Sequence, residues 1–432
     1  MTDKPQGLVR TIGRWSLTAL MVNSIVGVSI FKLPADLSRN LSGWSPLSCV
    51  AAGAGILVIA GCIAEVSSRY EETGGLYLYA RDALGRFASL LVAWMTWLTR
   101  IAAPAAAANL IWTYTAKFFP GLESTLGKFL VLVGLMGHLA LLNCLGVKTG
   151  KSLSNLFTAI KVGFLLAFIV AGAWALITRP ELHVPVTLPG VPAKTWFETL
   201  LLLVYAYGGF EGALFVGGES TNPKRDTPVA LLCALAGVCV IYTAVQYVTI
   251  ATLPGAGYST RPLADAAQRF LGPAGGTAIA LAALLSGYGY LSANVLHAPR
   301  LAFALAERGD FPAFLGAVHR KYRTPYVSIL VYAALTFVFA MIGDFRWNAL
   351  LSAVSRLAVY AAMALAVPIL RRRNDGKAQF LLPAPYLFAG LGVSYSAVLA
   401  TQMGRSEFVV MGVTSVIALV NWAALKRTEI GN

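Results

Sequence analysis

The 432-residue chain is 57% hydrophobic and only 12% charged, with a net charge of +15. Soluble globular chains run nearer roughly 45–50% apolar and about 25% charged. The balance therefore excludes a soluble enzyme, a disordered protein and a nucleic-acid binder, and the basic excess points to loops facing an anionic membrane leaflet.

A polar tail, residues 1–14, leads into an apolar run through Gly27 and Phe31 with no small-residue cleavage site. It reads as a retained span, not a signal peptide, and no lipidation motif accompanies it. Runs of about 20 apolar residues, enough to cross a bilayer, recur along the chain and predict about twelve spans. They lie near 15–36, 44–66, 86–118, 128–146, 154–177, 195–218, 228–252, 272–305, 325–342, 348–370, 382–402 and 407–425. The third and eighth exceed one crossing and are expected to tilt or project from the membrane. Twelve spans put both termini on one side. Roughly two thirds of the Lys and Arg residues then fall in loops on that side, which makes it cytoplasmic. The longest polar stretches, 306–324 and 371–380, leave no room for a soluble domain. The five cysteines (Cys49, Cys62, Cys144, Cys233, Cys239) form no CxxC pair and read as small buried apolar residues.

Two spans carry glycines at mid-depth. The first reads Val26-Gly27-Val28-Ser29-Ile30-Phe31-Lys32-Leu33-Pro34; the sixth reads Tyr205-Ala206-Tyr207-Gly208-Gly209-Phe210-Glu211-Gly212, followed by Gly217-Gly218. Each glycine costs a helix interior about 1 kcal/mol, and a carboxylate at that depth costs more. Close helix packing is the plain alternative, and it is the reading for Gly53, Gly55, Gly61, Gly134 and Gly137. Interruptions at the head of two successive five-span sets instead point to a transporter binding site. Free N–H groups at a half-helix N-terminus suit a carboxylate, and unwound carbonyls suit an ammonium. A site with both accepts a zwitterion, meaning an α-amino acid.

These stretches resemble the amino acid–polyamine–organocation (APC) transporter superfamily. The first break is similar to its G-S/T-G-I-F motif. Tyr207–Glu211 and Glu219–Pro228 resemble its sixth span and following loop, Arg69–Tyr77 the loop after span two, and Arg300–Pro312 with Thr324-Pro325 the loop after span eight. The resemblance covers about residues 15–375 in consistent order. It implies an all-α integral membrane fold with helices 1 and 6 broken: a five-helix repeat over 15–177, an inverted one over 195–370 (the LeuT-like architecture), and two added helices over 382–425. It implies a secondary transporter of amino acids in the cytoplasmic membrane, working by alternating access with proton coupling or exchange and without a cofactor. On the matching positions, the substrate carboxylate meets the amides of Gly27, Val28 and Ser29. Its ammonium meets carbonyls around Ile25, Tyr205, Ala206 and Gly208, with Tyr205 at the place of an aromatic gate. Val28 and Ser29 depart from the motif, but their backbone donors remain; Glu71 stands where the family has Pro.

Lys161, Arg100 and Arg356 lie within spans, and Glu211 is the one deep carboxylate. Lys161 falls where sodium-coupled relatives of this fold bind sodium, so sodium independence is expected; it is either a fixed cation on the first break or a proton carrier. Glu211 either carries the coupled proton or braces the unwound segment. Arg100 either faces an acidic substrate or pairs with Glu211 or backbone carbonyls; Arg356 poses the same choice. His138 and His297 read as packing residues. A polyamine carrier would need an acidic pocket, which these cations oppose. A membrane-embedded enzyme would need paired acids or metal ligands at a membrane face, and no HExxH stretch is present. A sensor that binds without transporting is separated only by flux. Lipid and a small-molecule substrate are the expected partners, and a monomer or a homodimer would serve equally.

Overall fold

The computed structural model describes residues 12–71, 75–146, 151–214, 220–373 and 378–430, without the side chains of 151–160 and 426–430. Residues 1–11 of the tail, Glu72–Gly74, Lys148, and Gly217, Gly218 and Glu219 of the sixth-span motif lie outside the described residues. Among those described, the regular structure is all helical, apart from one parallel bridge between Ile12 and Ser220. This is the economical way to satisfy backbone polar groups in lipid.

The helices are α1 (Arg14–Ile25), α2 (Leu33–Leu41), α3 (Ser45–Ser67), α4 (Gly75–Leu84), α5 (Arg86–Phe118), α6 (Thr125–Cys144), α7 (Lys151–Thr178) and α8 (Ala193–Tyr207). They continue with α9 (Phe210–Leu214), α10 (Pro223–Thr252), α11 (Pro262–Glu307), α12 (Tyr326–Ile342), α13 (Phe345–Arg372), α14 (Pro385–Ala400) and α15 (Arg405–Ile430). Among the described residues, 8 stretches are long and apolar enough to cross a membrane. The expected spans that fall short are the interrupted first and sixth and the shorter helices α12 and α14.

Local chemistry sets many of the ends. Proline opens α2, α3, α10, α11 and α14, where a missing N–H costs nothing. Ser124 and Asp344 cap α6 and α13, accepting from the amides of Gly127 at 3.0 Å and Trp347 at 2.7 Å. The long α11 is bent at Gly272, whose φ of 77° leaves the helical region, so the eighth span proper starts after it. Two elements were not anticipated: α2, which continues the first span, and α4, an amphipathic helix within the segment read as the loop after span two.

Helices α1, α3, α8 and α10 pack on one another, and α5, α6, α11 and α12 form a second group. Helix α13 packs against α5, α3 and α8, so it touches both. Some packing expectations change. Cys49 and Cys62 are buried, but Cys144 and Cys239 are only partly so and Cys233 is exposed. Gly53 faces Cys239 and Tyr207, and Gly55 faces Tyr395, as close packing requires. Gly134 and Gly137 have open space beside them, so packing does not explain them.

Candidate functional site

Helical hydrogen bonding in α1 stops at Ile25. Val26–Val28 are bent, Ser29–Phe31 form a single 3-10 turn, and α2 begins at Leu33. Among the described residues, no backbone carbonyl takes the amides of Gly27, Val28 and Ser29. In the sixth span α8 stops at Tyr207, Gly208 is extended (φ −77°, ψ 168°), and Gly209 adopts φ 117° before α9. Side chains rarely enter the region Gly209 occupies. A Cβ there would also strike the Ser24 carbonyl and stand 3.4 Å from the Ile25 Cα. The two interruptions thus lie against each other at backbone distance.

Residues from other helices hold them in place. The Tyr242 hydroxyl, on α10, lies 3.1 Å from the Ile25 carbonyl oxygen and 3.1 Å from that of Ala206. One phenol therefore bridges the first and sixth spans. Lys161, on α7, donates to the Asn23 carbonyl in the last turn of α1, where a helix favours positive charge. Tyr207 donates to the Cys49 carbonyl at 2.7 Å, anchoring α8 to α3.

Glu211 is the hub of the sixth-span interruption. Its Oε1 accepts from Arg356 Nη1 at 2.5 Å and from the Tyr360 hydroxyl; its Oε2 accepts from the Gly209 amide at 2.7 Å. Arg356 and Tyr360 both lie on α13. The Arg356 guanidinium rests on Gly208: a Cβ there would stand 2.6 Å from Nε and closer still to Cζ and Nη1. Gly208 is needed for room rather than for φ.

The expected site residues fall into two places. Ile25, Gly27, Val28, Ser29, Tyr205, Ala206, Gly208 and Glu211 gather around the two interruptions. Arg100 joins them, its Nη2 3.8 Å from where a Cβ on Gly212 would lie. Lys161 reaches α1 from α7 and touches Asn23, not residues 26–29. The Ile25 and Ala206 carbonyls already receive Tyr242, and the Tyr205 carbonyl accepts from the Gly208 amide at 3.3 Å. The Tyr205 ring meets Phe345 edge-on at 5.9 Å. The carboxylate of Glu211 takes Arg356, and Arg100 lies within electrostatic reach of it. Tyr242 and Tyr360 went unread: each is one aromatic residue in an apolar run, and no spacing links it to a motif.

A narrow gap with room for about one water is lined by Glu211, by Thr96 and Ala93 of α5, by Leu301 of α11 and by Leu76 and Tyr77 of α4. On the α4 side Tyr77 donates to Asp310 at 2.5 Å, with Arg86 3.4 Å and Arg81 3.7 Å from the same carboxylate. Burial and the adjoining carboxylate both push the Tyr77 phenol above its ordinary pKa, so it remains a donor.

A family model described as "Amino acid permease" matches residues 12–423. A serine/threonine exchanger of Bacillus subtilis (strain 168) is 28% identical over 386 residues, which are 87% of this chain and 87% of the relative. The branched-chain amino acid permease BcaP of the same organism is 24% identical over 99% of this chain and 95% of its own. A putative arginine/ornithine antiporter from it is 28% identical over 77% of each.

Proposed function

Because the chain belongs to the amino acid permease family, matched over residues 12–423, we propose that it is a secondary transporter carrying one amino acid at a time by alternating access. The family is one of multi-pass membrane transporters acting on small molecules. The finer reading is a sodium-independent carrier in the cytoplasmic membrane, with both termini in the cytoplasm, working by proton symport or amino-acid exchange. Its twelve spans would form two inverted five-helix repeats and two added helices.

One observation supports this reading: the two helix interruptions abut, with the amides of Gly27, Val28 and Ser29, which no backbone carbonyl takes among the described residues, beside them. Free amides in a dry site hold a carboxylate well. The α-ammonium would share the carbonyl cluster with Tyr242, since each carbonyl has a second lone pair. Lys161 supplies a positive charge against the end of α1, the place a bound cation would otherwise fill, hence the sodium independence. Among the described residues two arginines, Arg100 and Arg356, lie beside Glu211, which disfavours a polyamine.

Proteoliposomes with imposed pH or sodium gradients test the reading against a panel of labelled amino acids. Flux should respond to the pH gradient or to internal amino acid and ignore sodium. Sodium-driven uptake with Lys161 intact would refute the role given to that residue.

A further inference from the structure

Gln246, on α10, is 1% exposed, and the two ends of its amide fare differently. Nε2 lies 2.8 Å from the Ser45 hydroxyl oxygen, 3.1 Å from that of Ser38 and 3.3 Å from the Pro34 carbonyl oxygen. The Ser38 hydroxyl donates to the Pro34 carbonyl at 2.6 Å, and the Ser45 hydroxyl to the Ser42 carbonyl at 2.7 Å. Each serine has used its one proton, so both oxygens can only accept. The Pro34 carbonyl accepts too. These acceptors fix the NH2 end on their side, since turning the amide over would set its oxygen against all of them. Oε1 therefore faces the other way. It is buried and takes no hydrogen bond among the described residues.

Gln246 and Tyr242, one helical turn apart on α10, both line a gap with room for about one water. Leu33 and Leu37 of α2, Cys49 of α3 and Ala206 of α8 share its wall. A buried carboxamide oxygen without a partner is costly, and a buried water is held by about two to four polar groups. The Tyr242 hydroxyl offers the second contact. Its single proton goes to the Ile25 or the Ala206 carbonyl, each 3.1 Å away, and its oxygen can still accept. A metal ion does not suit the gap. Calcium and magnesium take about six or more oxygen ligands, and of the side chains lining the gap only Gln246 and Tyr242 carry an oxygen.

We propose that one buried water occupies this gap, donating to Gln246 Oε1 and to the Tyr242 hydroxyl oxygen. It completes a hydrogen-bonded line through apolar packing: Ser38 and Ser45, Gln246, the water, Tyr242, and then the Ile25 and Ala206 carbonyls. The two interruptions are thereby fastened to the corner between α2 and α3. The site holds whatever the protein carries.

The test is hydroxyl-radical labelling of the purified protein by X-ray radiolysis, read by mass spectrometry and paired with a density map fine enough to show buried waters. Radiolysis of a held water oxidises the side chain beside it, however little of that side chain is exposed. Tyr242 and Tyr114 are equally enclosed, at 1% and 0% exposed, and of the two only Tyr242 borders the gap. Tyr242 should label several-fold faster than Tyr114. Gln246→Leu, which keeps the bulk and removes the acceptor, should erase most of that difference. The map should show a peak about 2.5–3.0 Å from Gln246 Oε1. Equal labelling of the two tyrosines, labelling unchanged by Gln246→Leu, or a map with other buried waters and none here overturns the proposal. So does a peak ringed by about six oxygens, which would be a metal ion, or an amide seen with its oxygen against the serines. The wild-type comparison decides even if Gln246→Leu does not fold.

Discussion

Replacing Gly208 by alanine isolates what the sixth-span interruption requires. The backbone at 208 is extended and open to any residue, so the added methyl acts only through its contacts. It would stand 2.6 Å from Arg356 Nε and nearer still to the rest of the guanidinium. Overfilling a packed site costs about 1–3 kcal/mol. The guanidinium can escape only by leaving Glu211, and breaking a buried pair on one side costs about 3–5 kcal/mol. A loss of about 3 kcal/mol or more is therefore expected, seen as a lower melting temperature in detergent and a fall in uptake. The control is Arg356→Ala, which vacates the space the methyl needs. In that background Gly208→Ala should cost less than about 1 kcal/mol, since the two changes share one contact. Equal losses in both backgrounds, or no loss in the wild type, would refute the account of Gly208.

Three further outcomes are expected. Tyr242→Phe removes the hydroxyl between the Ile25 and Ala206 carbonyls and should cost about 1–2 kcal/mol in thermal stability; a melting point unchanged from wild type would mean the bridge contributes nothing. Lys161→Met removes a buried ammonium while filling its volume, so the protein should keep its fold, because buried charges are weak stabilisers. Removing the charge held against the end of α1 should lower uptake; uptake equal to wild type would refute the role given to Lys161. Asp310→Asn keeps one acceptor oxygen but loses the other and the charge that Tyr77, Arg86 and Arg81 meet, and should lower stability by about 1–2 kcal/mol, a figure already discounted for the exposure of the arginines. Differential scanning fluorimetry reads it, and a shift within error would remove this junction as a structural element.

What the sequence conveyed depends on the range of each interaction. Long apolar runs are local, so each of the twelve expected segments contains a helix, and Gly208-Gly209 marked where α8 stops. Other features are products of tertiary contact. Arg356 lies 145 residues from Glu211 in chain order, and no local pattern says that these two will pair. Tyr242 lies 36 residues from Ala206 and 217 from Ile25, and it looks like any aromatic residue in an apolar helix. The amphipathic α4 was hidden because its ten residues are too few for a span and sit beside charged residues that read as loop. Gly134 and Gly137 were misread because glycine in a span reports either close packing or an empty neighbourhood, and composition alone does not separate them.

The two interruptions are joined differently to the rest of the protein, and the difference bears on how such a site could change access. Tyr242 lies at hydrogen-bond distance from both, and it belongs to α10, which packs with α1 and α3. On the carrier reading, α1, α8 and α10 would carry the proposed binding groups together. Glu211 connects that group to α13, which also packs on α5 of the second group. On the alternating-access reading, motion of the first group against the second leaves the Tyr242 bridge intact, because both its ends travel together. The Glu211–Arg356–Tyr360 contact instead ties the sixth-span interruption to α13, which touches both groups. Its donors all converge on one carboxylate, so small displacements lengthen several bonds at once. Strain from the motion would therefore collect at α13, next to the substrate, where occupancy of the site can change how much of that contact survives.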